Sequence, residues 1–132
     1  MPWYAGLYLV GLCALAIASW QHAVRAGHVP RWLRDGDMMA TFGQVLLSLA
    51  YWNEDVREGL GVVSVGLLAG VVGWMVFAIG PALECARAAL PAERRGLAGP
   101  AQGYGVVFLS LLISAPSLFW GLRVSMAVLA DP

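Results

Sequence analysis

The sequence contains no lysine, only two cysteines and two histidines, and charged residues make up 12% of its 132 positions. Soluble domains carry about 25% charged residues. The formal net charge is zero, which excludes the bulk positive field that a nucleic-acid-binding domain presents. All eight basic residues are arginine, and we interpret this bias as GC-rich coding from a bacterial source.

Residues that hold metals or cofactors are also scarce. His22 and His28 both lie at or beyond one end of the first apolar segment, whereas a bis-histidine haem needs one histidine from each of two helices. The positions of Cys13 and Cys85 disfavour a disulfide between them, and no HxxxH, CxxC or paired-carboxylate pattern is present. We expect no metal, no cofactor and no enzymatic activity. Bound lipid is expected, whereas haem and quinone are disfavoured.

Long apolar runs fill most of the chain instead. They cover residues 1–24, 38–53, 59–83 and 96–122, and the mean hydropathy is +0.72. A helix needs about 20 apolar residues to cross a bilayer. The pattern predicts an all-α integral membrane protein with one domain over residues 1–132 and four transmembrane helices joined by short loops. The predicted spans cover about residues 3–23, 38–55, 60–81 and 104–123, and the second is the weakest because it is short and carries Gln44.

The arginines predict how the chain is threaded. In a four-span arrangement six of the eight fall in the first and third connectors, and cytoplasmic loops carry the excess of basic residues. Both termini are then outside the cytoplasm, in a multi-pass protein of a bacterial inner membrane. No basic residue precedes Arg25, so we expect the first run to be a retained span and not a signal peptide. The six cytoplasmic positions are Arg25, Arg31, Arg34, Arg87, Arg94 and Arg95.

Aromatic residues and proline refine this threading. Tryptophan and tyrosine favour the two membrane interfaces, and most of them fall there; Trp74, in the middle of the third span, is the exception. Pro81 is expected to end or kink the third helix, and residues 82–90 beyond it are expected to form a short helical extension. The Gly/Pro-rich residues 97–103 predict a loop.

The third predicted helix carries a stripe of small residues. Gly66, Ala69, Gly70 and Gly73 follow the spacing i, i+3, i+4 and i+7, so they share one helix face. Small residues let two helix backbones approach closely in lipid. The stripe predicts close packing against another helix, either within the bundle or on a neighbouring subunit.

The fourth predicted helix carries a serine stripe made of Ser110, Ser114, Ser117, Gly121 and Ser125. One interpretation is a polar lining for a pore or substrate path. The other, which we favour, is a tight helix–helix seam whose hydroxyls bond to nearby main-chain carbonyls.

Two further polar side chains have open roles. Gln44 is the one amide away from the ends of a predicted span; we favour an interhelical hydrogen bond over a ligand contact. Arg123 lies near the outer end of the fourth helix. We favour a side chain that reaches the headgroups over one that faces the bundle and binds an anion or a quinone head.

These features favour a non-catalytic small membrane subunit that packs within or scaffolds a larger complex, for example an energy-transducing one. No predicted span carries an embedded Asp, Glu or Lys, since Glu54 and Asp55 fall at the very end of the second span, and this disfavours a proton- or cation-coupled carrier. The alternative is a small oligomeric channel or transporter, and a weaker alternative is a membrane immunity or regulatory protein. The expected partners are other membrane subunits and lipids, without nucleic acid, and a hetero-complex is favoured over a homo-oligomer.

Overall fold

Five helices account for nearly all of the described chain. The structure is a computed structural model that describes residues 1–92 and 98–130, without the side chains of residues 98–102. The described residues contain no β-strand, so the all-α class is confirmed. Arg94 and Arg95, which the threading argument counts, lie outside the described residues. The helices are α1 (Trp3–Ala26), α2 (Arg31–Trp52), α3 (Glu54–Leu60), α4 (Val63–Ala88) and α5 (Ala98–Ala130).

Three of these helices are long and apolar enough to cross a membrane: Trp3–Ala26, Val63–Ala88 and the Gly103–Ala130 part of α5. The chain is therefore a membrane protein by helix length and composition. α2 is long enough, with 22 residues, but its first two turns carry Arg31, Arg34, Asp35 and Asp37. The predicted four spans are not confirmed, because these charges keep α2 out of the apolar class.

α2 lies at the centre of the bundle and packs against α1, α4 and α5. α1 runs antiparallel to it, since Trp20 near the end of α1 lies 3.4 Å from Asp35 near the start of α2. α5 runs parallel to it, since Gln44 pairs with Ser117 and, one turn later, Leu47 lies against Gly121. Among the residues whose burial the structure describes, most buried side chains belong to α2 and α5, so the core lies between these two helices.

The boundaries of α2 differ from the predicted second span at both ends. The helix begins at Arg31, immediately after Pro30, seven residues before the predicted start. It ends at Trp52, because Asn53 is extended and its side chain accepts hydrogen bonds from the backbone N–H groups of Asp55 and Val56. Asn53 is thus the N-cap of α3, and a cap of this kind starts a new helix.

One helix end also differs from the sequence pattern. α4 continues through Pro81 to Ala88, in agreement with the helical extension expected there, whereas the predicted loop at residues 97–103 is wrong from Ala98 onward, where α5 begins. Packing explains the continuity of α4. Ala78 before the proline is buried, and Leu83 after it contacts Gly103 of α5. Tertiary contacts of this kind outweigh local propensity.

Candidate functional site

A buried polar seam joins α2 to α5. The Ser117 hydroxyl lies 3.1 Å from Gln44 Oε1 and 2.8 Å from the main-chain carbonyl oxygen of Ser114, and its one proton is shared between these two acceptors. Ser48, one turn beyond Gln44, donates to the Gln44 carbonyl at 2.7 Å. These groups are all buried, so each hydrogen bond replaces water that the interior excludes. The interhelical bond expected for Gln44 is present.

The serine stripe of α5 is divided between two environments. Ser114, Ser117, Gly121 and Ser125 are buried, whereas Ser110 is exposed and donates to the Val106 carbonyl at 2.9 Å. A Cβ at Gly121 would lie 3.0 Å from Leu47 Cδ1, so glycine permits the close approach of α2 and α5. The Ser125 hydroxyl is buried without a hydrogen-bond partner among the described residues.

The small-residue stripe of α4 faces outward. Gly66, Ala69, Gly70 and Gly73 are exposed. No described atom outside the neighbouring backbone lies within 4 Å of the place where a Cβ would stand at any of the three glycines. The helices of the described bundle therefore do not use this face.

Arg123 lies on the exposed side of α5. Its guanidinium carbon stands 5.5 Å from the centre of the Phe119 ring, an arrangement typical of a cation–π contact. The charge is thus placed on the surface of the bundle and is not directed into the polar seam.

Below the seam, a cavity of about 570 Å³ lies between α1, α2, α4 and α5. Gln44 and Ser114 line one end, and Arg34 and Asp37 line the other. Asp37 and Gln44 are seven residues apart on one face of α2, which separates the two ends by about 10 Å. The walls between them are largely apolar and include Leu12, Leu15, Ala16, Met75, Ala78, Ile79 and Ile113.

The charged end of the cavity is held by two tryptophans. Arg34 Nε donates to Asp35 at 3.0 Å, and its guanidinium lies 5.2 Å from the Trp20 ring centre. Asp37 accepts a hydrogen bond from Trp74 Nε1 at 2.8 Å. This bond explains how a tryptophan can lie in the middle of a span, since the Trp74 indole N–H has an acceptor there.

Sequence reasoning missed the role of Asp37, because the residue lies in a connector when the second span starts at Met38. Two signals point to it. Asp37 shares a helix face with Gln44, and the Trp74 indole N–H, placed in mid-span, needs an acceptor.

An aromatic cluster closes the opposite end of the bundle. The ring centres of Tyr8, Tyr51 and Trp52 lie 5.4 to 6.1 Å from the centre of the Trp120 ring. The Tyr51 and Trp52 ring centres are 4.9 Å apart. Tyr8 also donates its hydroxyl to the Ile113 carbonyl at 2.7 Å, which ties α1 to α5. The Trp52 indole N–H is buried and has no partner among the described residues.

No group of three or more His, Cys, Asp or Glu side chains in the described part of the chain could hold a metal ion. No family model, curated protein or solved structure matches the chain.

Proposed function

We propose that this protein is a non-catalytic subunit of a larger membrane complex and that the outward face of α4 packs against a helix of a partner protein. The observation that carries the proposal is the open stripe of Gly66, Gly70 and Gly73. A glycine that faces lipid offers little contact area, whereas the same glycine against a second helix lets two backbones approach closely.

Glycines elsewhere in the bundle support this assignment. Added Cβ atoms at Gly43 and Gly121 would lie 2.7 Å from Val71 and 3.0 Å from Leu47, so neighbouring helices fill the space beside them. The α4 stripe has the same composition without a neighbour in the described residues. A partner helix would give these glycines the role that Gly43 and Gly121 have inside the bundle.

We further propose that α2 is the fourth span, with both termini outside the cytoplasm of a bacterial cell. Its 22 residues correspond to about 33 Å, against about 30 Å for the hydrocarbon core. It contacts the three apolar helices along its length, from Gly36 beside Trp74 to Trp52 beside Trp120. Gln44 and Ser48 are buried, and Arg34 and Asp37 are hydrogen-bonded to Asp35 and Trp74, so the helix does not need an apolar surface all round.

The channel or transporter alternative has less support. The Ser110 and Ser117 hydroxyls donate to acceptors within α5 or to Gln44. Beyond Gln44 the seam is filled by Leu47, Ser48 and Val124, which are buried. A water-filled path along the serine stripe would need these side chains to move apart.

The proposal is tested by Gly70→Leu, with Gly11→Leu as the matched control. Both glycines are exposed in a helix and have open space beside them, but Gly11 lies on α1, outside the stripe. After extraction in mild detergent from the native membrane, we expect the wild type and Gly11→Leu to migrate in a complex with other polypeptides. Gly70→Leu should shift at least half of the protein to the mass of the free chain.

Mass analysis separates the outcomes. If Gly70→Leu and Gly11→Leu leave the same complex intact, the α4 face is a lipid-facing surface and the proposal is wrong. If the wild-type complex contains only copies of this chain, the result favours the alternative of an oligomeric channel.

A further inference from the structure

The cavity beneath the polar seam has the construction of a ligand site that is entered from the membrane. The Tyr8–Ile113 hydrogen bond ties α1 to α5. Apart from this bond, the described parts of these two helices make few contacts with each other. Below that bond, the exposed residues Ser19 of α1 and Leu109 of α5 line the cavity. The cavity therefore opens sideways between two of the apolar helices.

The closed end of the cavity holds an unused hydrogen-bond donor. The Gln44 side chain is 4% exposed and lines the cavity. Its oxygen accepts from Ser117, whereas its nitrogen has one long contact, 3.7 Å to Met75 Sδ. A thioether is a weak acceptor, and an amide carries two N–H groups. At least one buried donor therefore lacks a partner among the described residues, which is costly unless an acceptor reaches it.

The open end does not favour an anionic headgroup. Arg34 already pairs with Asp35 and lies over Trp20, and Asp37 adds a second carboxylate beside it. A phosphate or carboxylate would meet one engaged cation and two acidic side chains. The cavity is thus suited to an uncharged molecule.

We propose that the cavity binds a neutral, membrane-dissolved molecule that presents a carbonyl oxygen to Gln44 Nε2 and leaves its apolar tail in the opening between α1 and α5. The volume of about 570 Å³ lies within the range of about 300 to 1,000 Å³ that suits one small ligand. The carbonyl can come from a quinone ring, which the sequence alone disfavours, or from the ester of an uncharged lipid. The site is independent of the α4 face.

Binding is measured with the protein in nanodiscs of ether-linked phosphatidylcholine, whose tails carry no ester carbonyl. The probes are decylubiquinone and dioleoylglycerol, with decylbenzene as a tail-bearing ring that lacks a carbonyl. A ligand that binds the folded protein raises its unfolding midpoint in a concentration-dependent manner. We expect one of the two carbonyl probes to do so at concentrations at least tenfold below decylbenzene, and the probe that succeeds identifies the source.

Matched variants separate recognition from folding. Gln44→Met removes both the N–H donor that would bind the probe and the oxygen that accepts from Ser117. Ser117→Ala breaks the same interhelical bond but keeps the Gln44 amide. Gln44→Met should weaken probe binding about tenfold, and Ser117→Ala should leave it within about twofold. Ala16→Phe, which fills the cavity from α1, should abolish binding without touching Gln44.

Several results would overturn the proposal. One is an unfolding midpoint of the wild type that neither carbonyl probe changes. Another is binding of decylbenzene at the same concentrations as the carbonyl probes. Equal losses in Gln44→Met and Ser117→Ala would make the role of Gln44 structural, and unchanged binding in Ala16→Phe would place the site elsewhere. Cross-linking of Ala16→Cys between two copies in the same nanodiscs would show that a second chain fills the opening.

Discussion

The Trp74 side chain is held from three directions. Its indole N–H binds Asp37, its ring meets Trp32 edge-on with centres 6.2 Å apart, and Phe77 lies 5.8 Å away on α4 itself. Gly36 of α2 lies directly against the ring, and an added Cβ there would overlap the indole carbons. A ring that is fixed on several sides cannot move away cheaply.

Gly36→Ala is therefore expected to destabilise the protein by about 1 to 3 kcal/mol, because the new methyl group overpacks this contact. Gly11→Ala is the control, since the space beside Gly11 is open. It should be neutral or stabilising by up to about 1 kcal/mol, as alanine favours a helix. Reversible unfolding in mixed micelles measures both changes. Equal effects of the two substitutions would mean that the Trp74 ring yields at little cost.

At the scale of helices, α2 and α5 form the polar interior of an otherwise apolar bundle. Ser117 links them through Gln44, whereas Ser110, two turns away, bonds only within α5 and is exposed. Two serines of one stripe thus have different surroundings. Their substitution tests whether the seam contributes to the stability of the bundle.

Ser117→Ala should lower the free energy of unfolding by about 0.5 to 1.5 kcal/mol, because the Gln44 oxygen loses its partner in a buried place. Ser110→Ala should change it by less than about 0.5 kcal/mol, since the hydroxyl donates only to a carbonyl one turn away. Unfolding curves of the two variants under one set of conditions provide the comparison. A larger loss for Ser110→Ala would indicate that its exposed hydroxyl has a partner outside this chain.

The sequence predicts α1, α4 and most of α5 well because each faces lipid, and a lipid-facing helix carries its own apolar signal. It predicts the start of α2 poorly for the opposite reason. Neighbouring helices cover much of α2, and Arg34 and Asp37 are hydrogen-bonded to Asp35 and Trp74, so these two residues are tolerated in a helix that hydropathy begins at Met38. The Gln44–Ser117 bond follows from the expectation that a buried amide finds a partner. The cavity could not be predicted from the sequence, because it depends on where α1 and α5 separate.

The whole molecule is asymmetric along the axis of the bundle. At one end the rings of Tyr4, Tyr51, Trp52 and Trp120 form a continuous aromatic cluster in which each ring lies within 6.4 Å of another. At the other end the cavity lies between the helices, with Arg34 and Asp37 among its lining residues. In the proposed threading the closed end is extracytoplasmic and the open end lies toward the cytoplasm, where the arginines are.

This threading is tested by labelling single cysteines in a chain whose Cys13 and Cys85 are replaced by alanine. Ala26→Cys and Ala89→Cys mark the ends of α1 and α4, and Glu58→Cys marks α3; all three positions are exposed. Glu58 is preferred to Asn53, whose side chain caps α3. An impermeant maleimide added to spheroplasts should label Glu58→Cys and should reach the other two only after lysis. If Glu58→Cys and Ala26→Cys are protected together, α2 does not cross the membrane, and α4 and α5 must then be threaded in the opposite direction.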